Sequence, residues 1–127
     1  MRLLLDTHVL LWAARDPSGL SDEVAEEIIA ADEVLFSVVS LWEIVIKRGL
    51  DRPDFRVDPQ RLRAGLLQGG YRELPVAARH AFAVADLPRL HRDPFDRLLL
   101  AQTLAENAVL MTADEAMTGY PVALRRL

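Results

Sequence analysis

No cysteine occurs among the 127 residues. A disulfide framework, thiolate zinc sites and cysteine nucleophiles are thereby excluded, and a reducing compartment fits the composition. Long apolar runs are missing as well. The opening Leu3-Leu4-Leu5 stops at Asp6, far short of a signal-peptide core. No stretch approaches the roughly 20 apolar residues that a membrane span requires. A cytoplasmic protein with no membrane association is expected. Internal repeats and low-complexity tracts are absent too. Lysine is almost missing: 14 of the 15 basic residues are arginine. The planar arginine fork suits phosphate, although a GC-rich genome produces the same bias.

What is present reads as one globular unit. The length is close to the commonest domain size, and 51% hydrophobic with 27% charged residues is a normal balance. A single domain spanning residues 1–127 is expected, with enough apolar surface to fold without disulfides. Net charge is −4, an unusual sign for a protein that handles nucleic acid. Its distribution is uneven. Residues 1–47 hold 3 basic and 9 acidic groups, whereas residues 48–97 hold 10 basic and 7 acidic groups. The positive charge is concentrated in the middle of the chain.

Strand and helix signals alternate. Leu3–Leu5 and Val34–Val38 are short continuous apolar runs, the pattern of strands buried on both faces. Val109–Met111 repeats it, and Tyr71–Leu74 and Val122–Leu124 are shorter candidates. Helices are expected at His8–Ala14, Ser21–Ala31, Ser40–Arg48, Pro59–Gln68, Val76–Val84 and Phe95–Asn107. Pro53 and Pro59 mark 51–58 as loop, and Pro88 and Pro94 break 87–94. Alternation of this kind predicts an α/β fold: a three-layer α/β/α sandwich around a mostly parallel sheet of four to five strands. Such sheets bind ligands outside the carboxyl ends of their strands.

Four acids fall where that rule places a site. Asp6 follows the first strand directly, Glu43 lies in the helix after the second, and Asp114 lies just past Val109–Met111. Asp96 opens the helix that runs back from the same edge. Carboxylates brought together repel, and a divalent cation resolves the conflict. Mg²⁺ and Mn²⁺ both favour oxygen ligands. Either lowers the pKa of bound water, and two ions about 4 Å apart clamp the attacking and leaving oxygens of a phosphodiester. Local readings stand beside this one. Ser40-x-x-Glu43 has the form of a capping box. Asp96 suits a helix dipole, and Asp114 suits a turn cap. Asp6 is the hardest to explain locally, because a charge ending a buried strand is costly unless paired or useful.

The segments around these acids resemble a known family. Leu3-Leu4-Leu5-Asp6-Thr7-His8 is similar to the opening of PIN-domain nucleases. Ser37-Val38-Val39-Ser40-Leu41-Trp42-Glu43 resembles the segment around their second acid. His91-Arg92-Asp93-Pro94-Phe95-Asp96-Arg97 resembles their third-acid helix, and Leu110-Met111-Thr112-Ala113-Asp114 their last motif. Order and spacing resemble VapC toxins of type II toxin–antitoxin systems. The resemblance implies a PIN-like fold and a Mg²⁺- or Mn²⁺-dependent ribonuclease with one or two ions on Asp6, Glu43, Asp96 and Asp114. It also implies a homodimer, an antitoxin whose tail crosses the site, and a larger toxin–antitoxin assembly. Thr112 matches a position where the family often has Ser or Thr near the site.

Further residues have two readings each. Within Asp93-Pro94-Phe95-Asp96 either acid aligns with the third; Asp96 fits the helix that follows, and Asp93 reads as its cap. His91 is a solvated loop histidine, or a general acid or phosphate contact. Thr7 and His8 adjoin Asp6. Lys47 and Arg97 meet phosphate, or Lys47 pairs with Glu43 one turn before it. Trp12 and Trp42 read as core or dimer contacts. The expected reaction is attack of metal-activated water on phosphorus, leaving a 5′-phosphate and a 3′-hydroxyl. Two rivals are a receiver- or phosphatase-like phosphotransfer domain and a catalytically silent PIN-fold binding module. The phosphotransfer rival is weakened because Asp6-Thr7-His8 has neither paired acids nor Asp-x-Asp.

Overall fold

The computed structural model describes residues 1–127, the side chain at position 17 excepted. Five strands form one sheet: β1 (Arg2–Leu5), β2 (Glu33–Ser37), β3 (Arg72–Leu74), β4 (Val109–Thr112) and β5 (Leu124–Arg126). Their order is β3-β2-β1-β4-β5, and every pairing is parallel. The expected "mostly parallel" sheet is thus wholly parallel. Six helices connect it: α1 (Thr7–Ala14), α2 (Asp22–Ala30), α3 (Val38–Gly49), α4 (Pro59–Gln68), α5 (Ala78–Ala83) and α6 (Pro94–Ala105).

Alternation along the strands divides the core into two layers. Leu3, Leu5, Phe36 and Met111 pack into one cluster with Val9, Leu10 and other residues of the α1 side. Leu4, Leu35 and Leu110 turn the other way and join Leu99 and Leu100 of α6. Successive side chains of a strand point to opposite faces, so a continuous apolar run fills both. This gives the three-layer sandwich. Chain order runs outward from β1 in both directions, so the crevice where the winding reverses lies at the ends of β1 and β4.

Several boundaries differ from the sequence expectation. α3 opens at Val38, not Ser40, because Ser37 is its cap and accepts the Val39 N–H at 3.0 Å. Ser40 is therefore inside the helix, and the predicted Ser40–Glu43 capping box does not form. α5 is shorter than Val76–Val84 and runs into a 3₁₀ turn at Val84–Asp86. α6 stops at Ala105, and Asn107 takes a left-handed φ of 52° just beyond it, a common way to end a helix. β5 lies two residues later than Val122–Leu124, placed by pairing of Leu110 with Leu124. The 51–58 loop holds a 3₁₀ turn, Pro53–Phe55, and buries Phe55. Among the described residues, no helix is long and apolar enough to cross a membrane.

Leu4 is fully buried on the central strand, in register with Leu35 and Leu110. Leu4→Ala should lower unfolding free energy by about 2–5 kcal/mol. Urea denaturation is expected to show a lower midpoint with an unchanged slope.

Candidate metal centre

Asp6 is the N-cap of α1 and the first residue past β1. Its Oδ1 accepts the Thr7 N–H at 2.8 Å, and its Oδ2 accepts the Thr112 hydroxyl at 2.6 Å. Thr112 ends β4, the strand beside β1, so sheet register delivers this contact. The Thr112 oxygen also accepts the Asp114 N–H at 3.0 Å. One threonine thus ties together the chain segments carrying two predicted acids. Asp6 is 6% exposed. Burial pushes its carboxyl above the ordinary range, and the Glu43 charge adds to this; the Thr112 and Thr7 hydrogen bonds oppose it.

Glu43 is 4% exposed on α3. The Thr7 hydroxyl donates to its Oε1 at 2.6 Å and lies 2.9 Å from the Ser40 hydroxyl. Thr7 therefore bonds to Asp6 through its backbone and to Glu43 through its side chain. Lys47 meets Glu43 Oε2 one helical turn on. The expected i,i+4 pair forms, with both partners largely covered, and the ammonium also lies 5.0 Å over the Phe55 ring.

Asp96 occupies the first turn of α6 and is 9% exposed. Its Oδ2 is 2.6 Å from His91 Nε2. Burial pushes this carboxyl up to about 7; the His91 contact opposes the rise, and the charges of Asp93, Asp6 and Glu43 reinforce it. That mutual influence places Asp6, Glu43 and Asp96 in one electrostatic neighbourhood. Edge-to-face packing of Trp42 on Phe95, 4.9 Å between centroids, brings α3 and the start of α6 together. Asp114 is exposed and caps the turn after β4, its Oδ1 accepting the Ala116 N–H at 2.9 Å. Its link to Asp6 is its backbone N–H, which donates to the Thr112 hydroxyl.

The tightest cluster joins Asp96 to two residues whose roles the sequence left open. Among the described residues, only His91, Asp93 and Asp96 bring three potential metal-ligand atoms within 4.8 Å of one another. Among the described residues no three of the four predicted acids come that close, and the buried ones bond to protein donors: Thr112 to Asp6, Thr7 and Lys47 to Glu43, and His91 to Asp96. Asp93 is the cap expected of it, accepting the Phe95 and Asp96 N–H groups at 2.8 and 3.2 Å. His91 does not stand free in solvent; it binds the third acid. Its signal was the proline-started helix, which folds residues just before Pro94 back over the first turn.

Other supporting residues lie differently. His8 sits 3.8 Å from Asp54 and edge-on to Phe55. Arg97 commits its guanidinium to the carbonyls of Pro88 (2.9 Å) and Val84 (3.3 Å), which clamps a loop where a phosphate contact was expected. Trp42 is 54% exposed, so it is not core. A groove of about 560 Å³ between α1 and α4, lined by residues such as Arg15, Val57 and Tyr71, contains none of the four acids.

The donor set fits a hard divalent cation. It offers carboxylate and hydroxyl oxygens, and two of its acids resist ionising because their negative charges are buried together. Asp6, Glu43, Asp96 and Asp114 offer carboxylates that could hold such an ion, and Asp96 also belongs to the His91–Asp93 cluster.

Asp96 has a consequence for stability. In the unfolded chain it ionises near 3.8, and in the folded chain near 7. Stability of the metal-free protein, kept in chelator, should therefore fall as pH rises through that window and level off above it. Asp96→Asn removes this loss. It should stabilise the metal-free protein above pH 7, by on the order of a few kcal/mol at most, and have little effect below pH 4. Paired denaturant titrations across pH check this.

Comparison with known proteins gives the family. A family model described as PIN domain matches residues 3–122. Ribonuclease VapC22 of Mycobacterium tuberculosis is 26% identical over 119 residues, covering 93% of this chain and 91% of that protein. VapBC2 from Rickettsia felis, solved bound to a DNA fragment from their promoter, matches with a TM-score of 0.73 at 17% identity over 99% of this chain and 98% of that one. VapBC-1 from nontypeable Haemophilus influenzae matches with a TM-score of 0.68 at 19% identity over the same shares. At those identities the two structures speak for the fold. The family model covers almost the whole chain, including all four acids, and the chain belongs to the PIN domain family.

Proposed function

We propose that this chain is the ribonuclease toxin of a VapC-type toxin–antitoxin pair. It hydrolyses RNA phosphodiester bonds using one or two Mg²⁺ or Mn²⁺ ions on Asp6, Glu43, Asp96 and Asp114. The observation that carries this reading is the convergence of Asp6, Glu43 and Asp96, all buried and mutually repelling, in a PIN-domain chain. The likeness to a VapC ribonuclease and to VapBC complexes supports it. The four acids answer both rivals: a silent module has no use for them, and a phosphotransfer domain would need paired acids at Asp6.

When bound, the cation lowers the pKa of its water and offsets charge on the phosphoryl group. The protein's own part is to fix the ligands. Thr112 holds Asp6, Thr7 and Lys47 hold Glu43, and His91 holds Asp96. Such supporting contacts hold ligand carboxylates in orientation. Glu43 would hold a second ion or orient the attacking water, which gives up its proton as it attacks. The water oxygen bonds to phosphorus, the 3′ oxygen leaves and is protonated, and the products are a 5′-phosphate and a 3′-hydroxyl.

Residues 1–127 act as one domain in the cytoplasm. The cognate antitoxin would lay a basic tail across the acids. Exposed Trp42 and Val45 on α3, with Leu50 just past its end, give a second copy an apolar face, consistent with a homodimer within a larger toxin–antitoxin assembly.

EDTA should abolish cleavage of RNA, and Mn²⁺ should restore it. Asp6→Asn should cut activity by more than roughly 100-fold while leaving the circular dichroism spectrum unchanged. Mn²⁺ at a hundred times its Kd should add about 2.7 kcal/mol of stability, seen as a higher Tm. Full cleavage in EDTA would overturn the reading.

A further inference from the structure

An acidic site must still draw in a polyanion, and the molecule's net charge of −4 does not help it. Most of the arginines with a clear structural role are already paired: Arg63 with Glu73, Arg72 with Glu33, Arg79 with Glu106, and Arg125 with Glu27. Arg48, Arg52, Arg56, Arg61, Arg89 and Arg92 are exposed, and among the described residues their side chains have no ion pair or hydrogen bond. Of these, Arg89 and Arg92 share one short loop. They stand with His91 and Arg97 around a cleft of about 520 Å³ whose lining contains no acid. The nearest carboxylates are occupied: Asp93 caps α6, and Asp96 is bonded to His91.

The loop carrying these arginines is held in shape. Leu87 is buried at its start, Arg97 grips the Pro88 carbonyl, and Asp93 caps the helix at its end. Ordering cost on binding is thereby reduced. The His91–Asp96 contact of 2.6 Å makes this cleft and the acid cluster immediate neighbours.

We propose that Arg89 and Arg92 form a phosphate-binding subsite that takes a backbone phosphate of the nucleic-acid strand, next to the bond held at the acids. The subsite rests on the nuclease reading above and adds where the strand runs: along the 87–93 loop, past His91, and over Asp96. Contacts of this type position the strand without reading its sequence.

The probe is a labelled 2′-O-methyl oligoribonucleotide, which resists cleavage, titrated with the full chain over a range of salt. In Arg89→Ala/Arg92→Ala, affinity should drop alike for different sequences. The slope of log K against log salt should shrink by about 0.7, the value for one lost phosphate contact on a single strand. In cleavage assays KM should rise while kcat stays near wild type. Arg89→Lys/Arg92→Lys should keep most of the slope, and Arg48→Ala/Arg61→Ala should keep all of it. An unchanged slope in the double alanine variant overturns the subsite. So does an equal loss in Arg48→Ala/Arg61→Ala, because binding would then be diffuse, and so does a wild-type protein that binds no oligonucleotide. The nuclease reading fails separately, if wild-type protein with Mn²⁺ cuts no RNA; a slope lost only in Arg89→Ala/Arg92→Ala would then leave a phosphate site standing.

Discussion

Asp6 is an ionisable group with 6% of its surface exposed, attached directly to a strand that has no exposed face. Removing a carboxylate from water to that extent is unfavourable unless donors or a cation replace the lost hydration. Much of the local architecture supplies such donors. The Thr7 amide meets one oxygen because Asp6 caps α1, and the Thr112 hydroxyl meets the other because β4 lies beside β1. Thr7 then carries the constraint outward to Glu43 and Ser40 on α3. A one-residue slip of β4 would turn Thr112 to the other face of the sheet, and Asp6 would lose its side-chain donor.

The sheet's order explains why distant acids meet. β1 lies at the centre, β2 and β4 flank it, and both neighbours run parallel to it. Every carboxyl end therefore opens on one edge. α3 leaves β2 at that edge, and α6 starts there because it must cross the full sheet before β4 begins. The apolar runs carry this topology almost directly, because a strand buried on both faces is apolar along its middle and admits polar residues only where they find partners, as Ser37 and Thr112 do at the ends of β2 and β4. Hence Leu3–Leu5, Val109–Met111 and all of Val34–Val38 but its last residue, which opens α3, were legible, and so was the placement of acids just beyond them.

Less legible were contacts decided by geometry at helix starts. Ser37 and Ser40 are both plausible caps by residue type, and the motif with Glu43 favours Ser40. The structure uses Ser37 because β2 ends there and α3 follows with no intervening loop. Glu43 is thereby released from capping and turned to Thr7. His91 was hidden for a related reason. A histidine in a Pro- and Arg-rich loop has no periodicity to place it, and only the fold-back ahead of Pro94 brings its ring to Asp96. Arg97 is the converse case: a residue type that suits phosphate is engaged by backbone carbonyls that no sequence pattern reports.

Charge is divided in the same way. The buried acids lie on elements whose positions are set by the sheet, so their separation is held against repulsion. Arg89 and Arg92 lie on a loop, where the side chains extend into solvent and their mutual repulsion is screened over about 10 Å at moderate salt. Negative charge that must bind a small cation benefits from rigidity. Positive charge that must follow a flexible strand benefits from reach. Arg97 serves both needs: its position on α6 belongs to the rigid part, and its hydrogen bonds to Pro88 and Val84 hold the loop beside it.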